Sequence, residues 1–511
     1  MASSIGLLLA VIAPLILSRP TLASLGQPPV VLALATTWYA AGHLWLLLMV
    51  GANRPISLTF WLFVYVFFGL GALANAVSQE FPLFRQTFDE GPQVAAQVTI
   101  LVGLAGYEIG RLLAKDRRMQ ERWTRRLNRP TVAFSRVTVI GIVGIVAVSY
   151  FTLKYGLGTR FSSRQTATES FLGPGDAGTR LFQRENKSGG LLRIALDGIP
   201  VFVALYLLLS QLRLQRERAR MSGRVMRLGV LTGVLFIALA VGVLLADNPT
   251  SNSRARFLGV SIALLLAVWP LVTARRFRIF AVILILGTLF VYPIADFFRL
   301  EERDRQTAPL NTQFRTSPDF AMFQQEVNAQ TYVQGSGHTG GRQLLGVAFS
   351  WVPRGVWPGK PISTGALVFP QAADTLPTSL TIWGWAFVDG GMPWVFIIFG
   401  VYGCATAALE GAYRRRPRDR LSLAAVAVPL LAATQTLFLR GDPQPVVGEV
   451  APMVLLLLFA CRRRPPRGQA LAPTGSVDSG EREVQAAPVP LQKEQPRPFV
   501  ARRLRTSPRP S

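Results

Sequence analysis

Long apolar runs, most of them of 17 to 25 residues, recur along this 511-residue chain, and they constrain its fold more than any other feature. A helix rising ~1.5 Å per residue needs ~20 apolar residues to cross a ~30 Å hydrocarbon layer. About twelve runs qualify: 2–18, 28–50, 57–78, 93–114, 132–154, 190–212, 228–246, 257–274, 279–298, 385–412, 421–439 and 446–461. Half of all residues are apolar, more than a soluble core of this size needs in such long runs. The expected class is all-α. It is a polytopic integral membrane protein of about 12 transmembrane helices over 1–462, with a basic, Pro-rich cytoplasmic tail at 463–511. That tail has too little apolar surface to fold.

Net charge is +26, which in a soluble protein would suggest nucleic acid. Its distribution points to a membrane instead. Basic clusters follow every second run, at 115–129, 213–227, 275–278, 414–420 and 462–467. The short alternate loops hold few cations: Arg19, Arg85, Arg254 with Arg256, and Arg440. The positive-inside rule places the clusters and both termini in the cytoplasm, and the parity of twelve spans agrees. The first run lacks a basic leader, so it reads as an anchor. Cys404 and Cys461 read as small buried hydrophobes, and no disulfide framework, metal site or cofactor is expected.

Two loops on the exterior side are long, about 155–189 and 299–384. Loops of this length are usually functional or disordered. Phe161, Phe171, Leu181, Phe320, Phe323, Tyr332 and Trp351 favour folded ones. Ser317-Pro318 signals a helix start, with Phe320, Phe323 and Val327 at helical spacing. Residues 342–352 are too short to span and suit an interfacial or re-entrant helix. The first loop carries Arg160, Arg164, Arg180, Arg184 and Lys187, and the second carries Arg299, Arg303, Arg305, Arg315, Arg342, Arg354 and Lys360. Guanidinium pairs with phosphate through bidentate, charge-assisted bonds, so two arginine-rich loops point to a polyanionic partner. Glu301, Glu302 and Asp304 alternate with Arg303 and Arg305 and read as salt bridges rather than an ion site.

Ionisable groups inside spans face the bundle interior. Glu108 and Arg111, three apart, are expected to pair. Asp197 follows Arg193 by four, Asp296 precedes Arg299, and Asp389 lies near the outer end of the tenth run in WGWAFVDGG. His43, among Trp38, Tyr39 and Trp45, reads as a packed residue.

The stretch 351–365, WVPRGVWPGKPISTG, sets Arg354 and Lys360 among three prolines and two tryptophans. Proline fixes φ and lacks an N–H, so this backbone is neither regular helix nor central strand. Preceded by GGRQLLG at 340–346, it resembles a segment of bacterial oligosaccharide repeat-unit polymerases, the O-antigen polymerase (Wzy-type) family. The match in detail covers about 340–365, and agreement elsewhere is architectural. Some members show an Arg-x10-Gly pattern in each of two exterior loops, and here Arg164 to Gly175 and Arg354 to Gly365 match it.

The resemblance implies a metal-independent membrane glycosyltransferase of the bacterial cytoplasmic (inner) membrane. Its substrates would be oligosaccharide repeat units on undecaprenyl pyrophosphate, and its product a surface polysaccharide such as O-antigen, capsule or exopolysaccharide. Expected partners are the lipid bilayer, a chain-length regulator and a flippase, with no nucleic acid. Arg354 and Arg164 would stabilise charge on the departing pyrophosphate, the general case of electrostatic preorganisation. Arg342, Arg160, Arg315 and Lys360 would bind substrate, while Trp351, Trp357 and Tyr332 would stack on sugar rings. The acceptor hydroxyl needs a base, for which His338, Asp319 and Glu326 are available. An O-antigen ligase and a flippase or transporter of the same lipid remain alternatives. A multispan polyprenyl-phosphate sugar transferase would need acids in the first exterior loop, and 19–27 has none. Cysteines introduced singly at Arg164 and Arg354 are expected to react with a membrane-impermeant maleimide from outside the inner membrane. Labelling only after permeabilisation would reverse the topology.

Overall fold

The computed structural model describes residues 2–20, 23–83, 87–161, 196–223, 229–248, 254–291, 310–352, 354–369 and 379–463. Each apolar run carries a helix. These are α1 (residues 2–18), α2 (Pro28–Val50), α3 (Pro55–Ser78), α4 (Glu90–Leu113), α5 (Arg117–Asn128), which is amphipathic, α6 (Phe134–Tyr155), α7 (Ile199–Met221), α8 (Val230–Ala246), α9 (Arg254–Val268) and α10 (residues 274–291). After them come α11 (Met322–Ser336), α12 (Arg342–Ala348), α13 (Ile382–Arg414), α14 (Leu423–Arg440) and α15 (Pro443–Ala460). Among the described residues, α2, α3, α6, α13, α14 and α15 are long and apolar enough to cross a membrane. The helical membrane class is thus observed, with one exception to all-α. Pro130–Val132 (β1) pairs antiparallel with Cys461–Arg463 (β2).

Two large apolar cores organise the bundle, beside a small third cluster of Ile56, Tyr413, Val428 and Ala432. One joins α1–α4, α10, α11 and the first half of α13, and the other joins α6–α9, α14 and α15. Helix α3 is apolar all round, and its most hydrophobic window is wholly buried, as such a helix must be. Helices α4 and α13 cross in close contact. Lipid tails are as apolar as leucine, so membrane helices associate through close packing of small residues. Gly106 and Gly110 let the Phe396 and Gly400 carbonyls approach, and Gly403 admits the Tyr107 carbonyl. A Cβ at Gly110 would collide with Gly400.

The basic segments gather at one end. β1 and β2 meet there, Thr131 bridges to Ser422, and Arg218 donates to the Asp419 carbonyl. Arg278 donates to the Leu48 and Met49 carbonyls. At the opposite end, Arg315 pairs with Glu80 at 2.8 Å and Gln324 bonds Leu83. Among the expected pairs, Arg111 meets Glu108 at 3.1 Å. His43 stacks on Trp61 with ring centroids 3.9 Å apart, a packed residue as expected. Replacing Gly110 with Ala is expected to cost about 1–3 kcal/mol by overpacking. A melting temperature in detergent no lower than wild type would show that α4 and α13 have room to separate.

Candidate functional site

The site begins with a broken helix. Helix α13 is interrupted at Gly390 (φ −153°) and Gly391 (φ 71°), two residues before Pro393. A side chain at φ 71° would be strained, so glycine suits position 391. The break frees the carbonyls of Phe387, Val388 and Asp389, and the segment 338–341 takes all three. His338 Nδ1 donates to Phe387 O at 2.9 Å, Thr339 N to Val388 O at 2.9 Å, and Gly341 N to Asp389 O at 3.3 Å. The Asp389 carboxylate, fully buried, accepts from the Thr339 hydroxyl at 2.7 Å and from the backbone N–H groups of Gln343 at 2.9 Å and Leu344 at 3.1 Å. It therefore caps α12 while standing at the break in α13.

His338 is exposed, and its bond to Phe387 fixes which ring nitrogen donates. A carbonyl only accepts, so Nδ1 is the donor in this bond and Nε2 is the ring nitrogen it leaves unengaged. Its imidazole edge lies against Gly391, where a Cβ would be 3.2 Å from Nε2.

The Trp-Pro-rich loop is tied down beside this motif. Lys360 Nζ donates to Ser350 O at 2.7 Å and Val352 O at 3.1 Å. Arg354 donates to Lys360 O at 2.6 Å and Pro361 O at 3.1 Å, and Arg342 to Gly359 O at 3.1 Å. Carbonyls orient a cation without cancelling its charge. Gln444 reaches Pro361 O at 3.4 Å, and the Thr364 hydroxyl donates to Gln343 Oε1 at 3.2 Å. Asp442 accepts from Gly365 N at 3.0 Å and Gln444 N at 3.1 Å, fixing the loop to the start of α15. Trp351 is 73% exposed at the loop surface, while Trp357 is half-buried with its ring edge-on to Phe349.

His338, Arg342, Arg354, Lys360, Trp351 and Trp357 thus share one region of the protein. The other expected site residues lie elsewhere, and three of the expected roles, that of Lys360 among them, need correcting. Lys360 is turned inward, 7% exposed, and braces its own loop rather than displaying its charge. Arg160 is buried and held bidentately by Asp197 at 2.9 Å on both oxygens, so it has no open face for a substrate. Asp197 therefore pairs with Arg160, while Arg193 lies outside the described residues. Glu326 is fully buried on α11, accepting from the Thr381 hydroxyl and Gly384 N. A general base must come within hydrogen-bond reach of its substrate, and Glu326 has no route to one. Burial pushes its carboxyl from the usual 4.5 up to about 8. Arg315 is engaged by Glu80, and Tyr332 is half-buried on α11. Asp319 sits on the single turn Pro318–Phe320, its side chain outside the described residues. Arg164, Gly175, Asp296, Arg299 and the 301–305 charge run also lie outside them.

Asp389, Thr339, Gln343 and Asp442 build the site without having been singled out for it. The signal for the first was present in DGG followed by Pro393. No family model, curated protein or solved structure matches the chain.

Glu326 is predominantly protonated in the fold below pH 8, whereas in the unfolded chain it ionises near 4.5. The folded state binds more protons between those values, so this group's stabilising contribution is complete below about 4.5 and is lost as pH rises towards 8. The melting temperature in detergent is expected to fall over that window, and Glu326→Gln is expected to flatten the slope. An unchanged slope in the variant would assign the trend to other groups.

Proposed function

We propose that the protein polymerises oligosaccharide repeat units carried on undecaprenyl pyrophosphate. It works as a multi-pass glycosyltransferase of the bacterial cytoplasmic membrane, with about twelve spans and both termini inside. The observation that carries this reading is the fixed array of Arg342, Arg354 and His338 beside exposed Trp351, at the end of the bundle away from the basic clusters. The resemblance of 340–365 to oligosaccharide polymerases falls on this same array.

The array fits glycosyl transfer to a hydroxyl. The acceptor hydroxyl attacks the anomeric carbon of the donor sugar and forms the new glycosidic bond. The bond from that carbon to the pyrophosphate oxygen breaks, and its electron pair leaves with the lipid pyrophosphate. His338 Nε2 takes the hydroxyl proton. Arg342 and Arg354 face the growing negative charge, and one such preplaced donor is typically worth ~3–4 kcal/mol of barrier. Lys360 serves as a positioning residue, because its two carbonyl bonds hold the turn that carries Arg354.

The break in α13 favours a second reading, a transporter of the same lipid, since discontinuous helices often mark transport sites. Here, however, the freed carbonyls are already occupied by 338–341, which supports a rigid site over a moving gate.

Arg342→Ala is the cleanest test, because that side chain is exposed and makes a single bond to the loop. Surface glycan from cells carrying it should shift from a long ladder towards single repeats, as it should for Arg354→Ala and His338→Ala, at unchanged membrane abundance. In detergent, purified protein should extend lipid-linked repeat units, with rates reduced about 10²–10³-fold in Arg342→Ala. Full extension by all three variants would overturn the assignment. Transfer only to an acceptor other than a lipid-linked repeat would indicate a ligase, and absence of transfer by wild type would favour transport.

A further inference from the structure

Helix α12 turns its apolar side outwards. Leu344, Leu345 and Ala348 are exposed, as is Phe349 just past its end, and exposed Arg342 starts the same side. Gln343 and Gly346 are buried on the other side, with Ser350 beyond the end. A helix facing water is arranged the reverse way, apolar side in and polar side out. The apolar surface continues into the Trp-Pro-rich loop. Phe349 meets Trp357 edge-on, and Trp351, Val356 and Ile362 are exposed, Val356 at 78%. Such exposure is ordinary on spanning helices, whose outer faces meet lipid. Outside the spans, a cluster of this kind marks a surface that something apolar covers.

The depth of α12 indicates what that cover is. Its first N–H groups, from Gln343 and Leu344, bond Asp389, and from Ile382 to Asp389 is ~10 Å of α13. Gly346 lies against Pro361, where a Cβ would be 2.9 Å from the proline ring. Pro361 in turn accepts from Gln444 in the first turn of α15. Helices α13 and α15 are both long and apolar enough to cross a membrane, and α12 packs on each. It therefore lies beside the ends of two such helices, within their length rather than above them. At that depth a membrane protein is surrounded by the headgroup layer and the upper acyl chains, which receive tryptophan, phenylalanine and leucine side chains. The charges agree with this. Arg342 and Arg354 both bond the 359–361 carbonyls at the rim of the surface, and cations in that position face lipid phosphates.

We propose that α12 and the loop after it are bedded in the leaflet at the end opposite the basic clusters, with Leu345, Phe349 and Val356 among the upper acyl chains. Arg342 and Arg354 then stand at the level of the lipid phosphates. The partner of this surface is the bilayer itself, and the seating does not depend on which reaction the site performs. For the proposed reaction it has one consequence. A pyrophosphate carried on a lipid reaches both guanidinium groups without leaving the leaflet.

The test uses full-length protein in nanodiscs of phosphatidylglycerol and phosphatidylethanolamine, with single nitroxide labels on a Cys404→Ala, Cys461→Ala background. Leu345→Cys, Phe349→Cys and Val356→Cys carry the labels. Val146→Cys, exposed midway along α6, is the lipid reference, and Asp419→Cys, exposed in the loop between α13 and α14, is the aqueous one. Oxygen partitions into lipid and a nickel chelate into water, so the ratio of their collision rates with the label reads its surroundings. The three labels should give a ratio several-fold above that of Asp419→Cys and near that of Val146→Cys. A ratio equal to that of Asp419→Cys would place the surface in water and overturn the seating. Loss of both collision rates would mean that a second copy of the chain covers the surface, and would overturn it as well. A label at Gly359→Cys, beside the carbonyl that orients Arg342, reads the level of the cations. A nickel-chelating lipid, whose metal lies in the headgroup layer, should broaden its spectrum several-fold more than that of Val146→Cys. Broadening no greater than at Val146→Cys would overturn the placement of Arg342 at the phosphates.

Discussion

A backbone carbonyl set free inside a membrane protein must find a donor, and that requirement shapes the end of this molecule opposite the basic clusters. Breaking α13 at Gly390–Gly391 releases three carbonyls. The glycine-rich segment 338–341 supplies the donors, and in doing so it fixes His338, starts α12 and brings Arg342 to the loop it braces. Asp389 closes the arrangement by accepting from both α12 and Thr339. An unsatisfied buried group costs roughly 1–3 kcal/mol, so each member of this interlock stabilises the placement of the others.

Charge is handled differently in different parts of the bundle. Arg160–Asp197 and Arg256–Asp247 form a buried network joining α7, α8, α9 and the turn after α6. Buried pairs of this kind contribute little net stability, but losing one partner strands the other, so they enforce a single arrangement of those helix ends. Around 342–361 the cations are oriented by carbonyls, which keep their charge directed and their geometry fixed. At the basic end arginines crowd together beside α5. The protein thus holds some arginines in buried ion pairs and orients others through backbone carbonyls.

Much of the fold was legible in the sequence because hydrophobic length and helical period are local properties. The helix beginning after Ser317-Pro318 and the Glu108–Arg111 pair could be read from spacing of three and four residues. The functions of Arg160, Lys360 and Glu326 could not. Each looked like a loop residue available to a substrate, and each proved buried against partners from 8 to 58 residues away, far beyond the reach of local pattern. The β1–β2 pairing joins residues more than 300 apart and was equally invisible.

The sequence alone established a basic, helical, membrane-embedded chain and directed attention to 340–365, because burial in lipid demands long apolar runs and proline forbids regular structure. Only the tertiary structure decided which cations are bracing groups and which are displayed. It also decided that a histidine in a glycine-rich segment donates from Nδ1. Those outcomes depend on which carbonyl or carboxylate arrives from a distant helix, and that is set by how the helices pack.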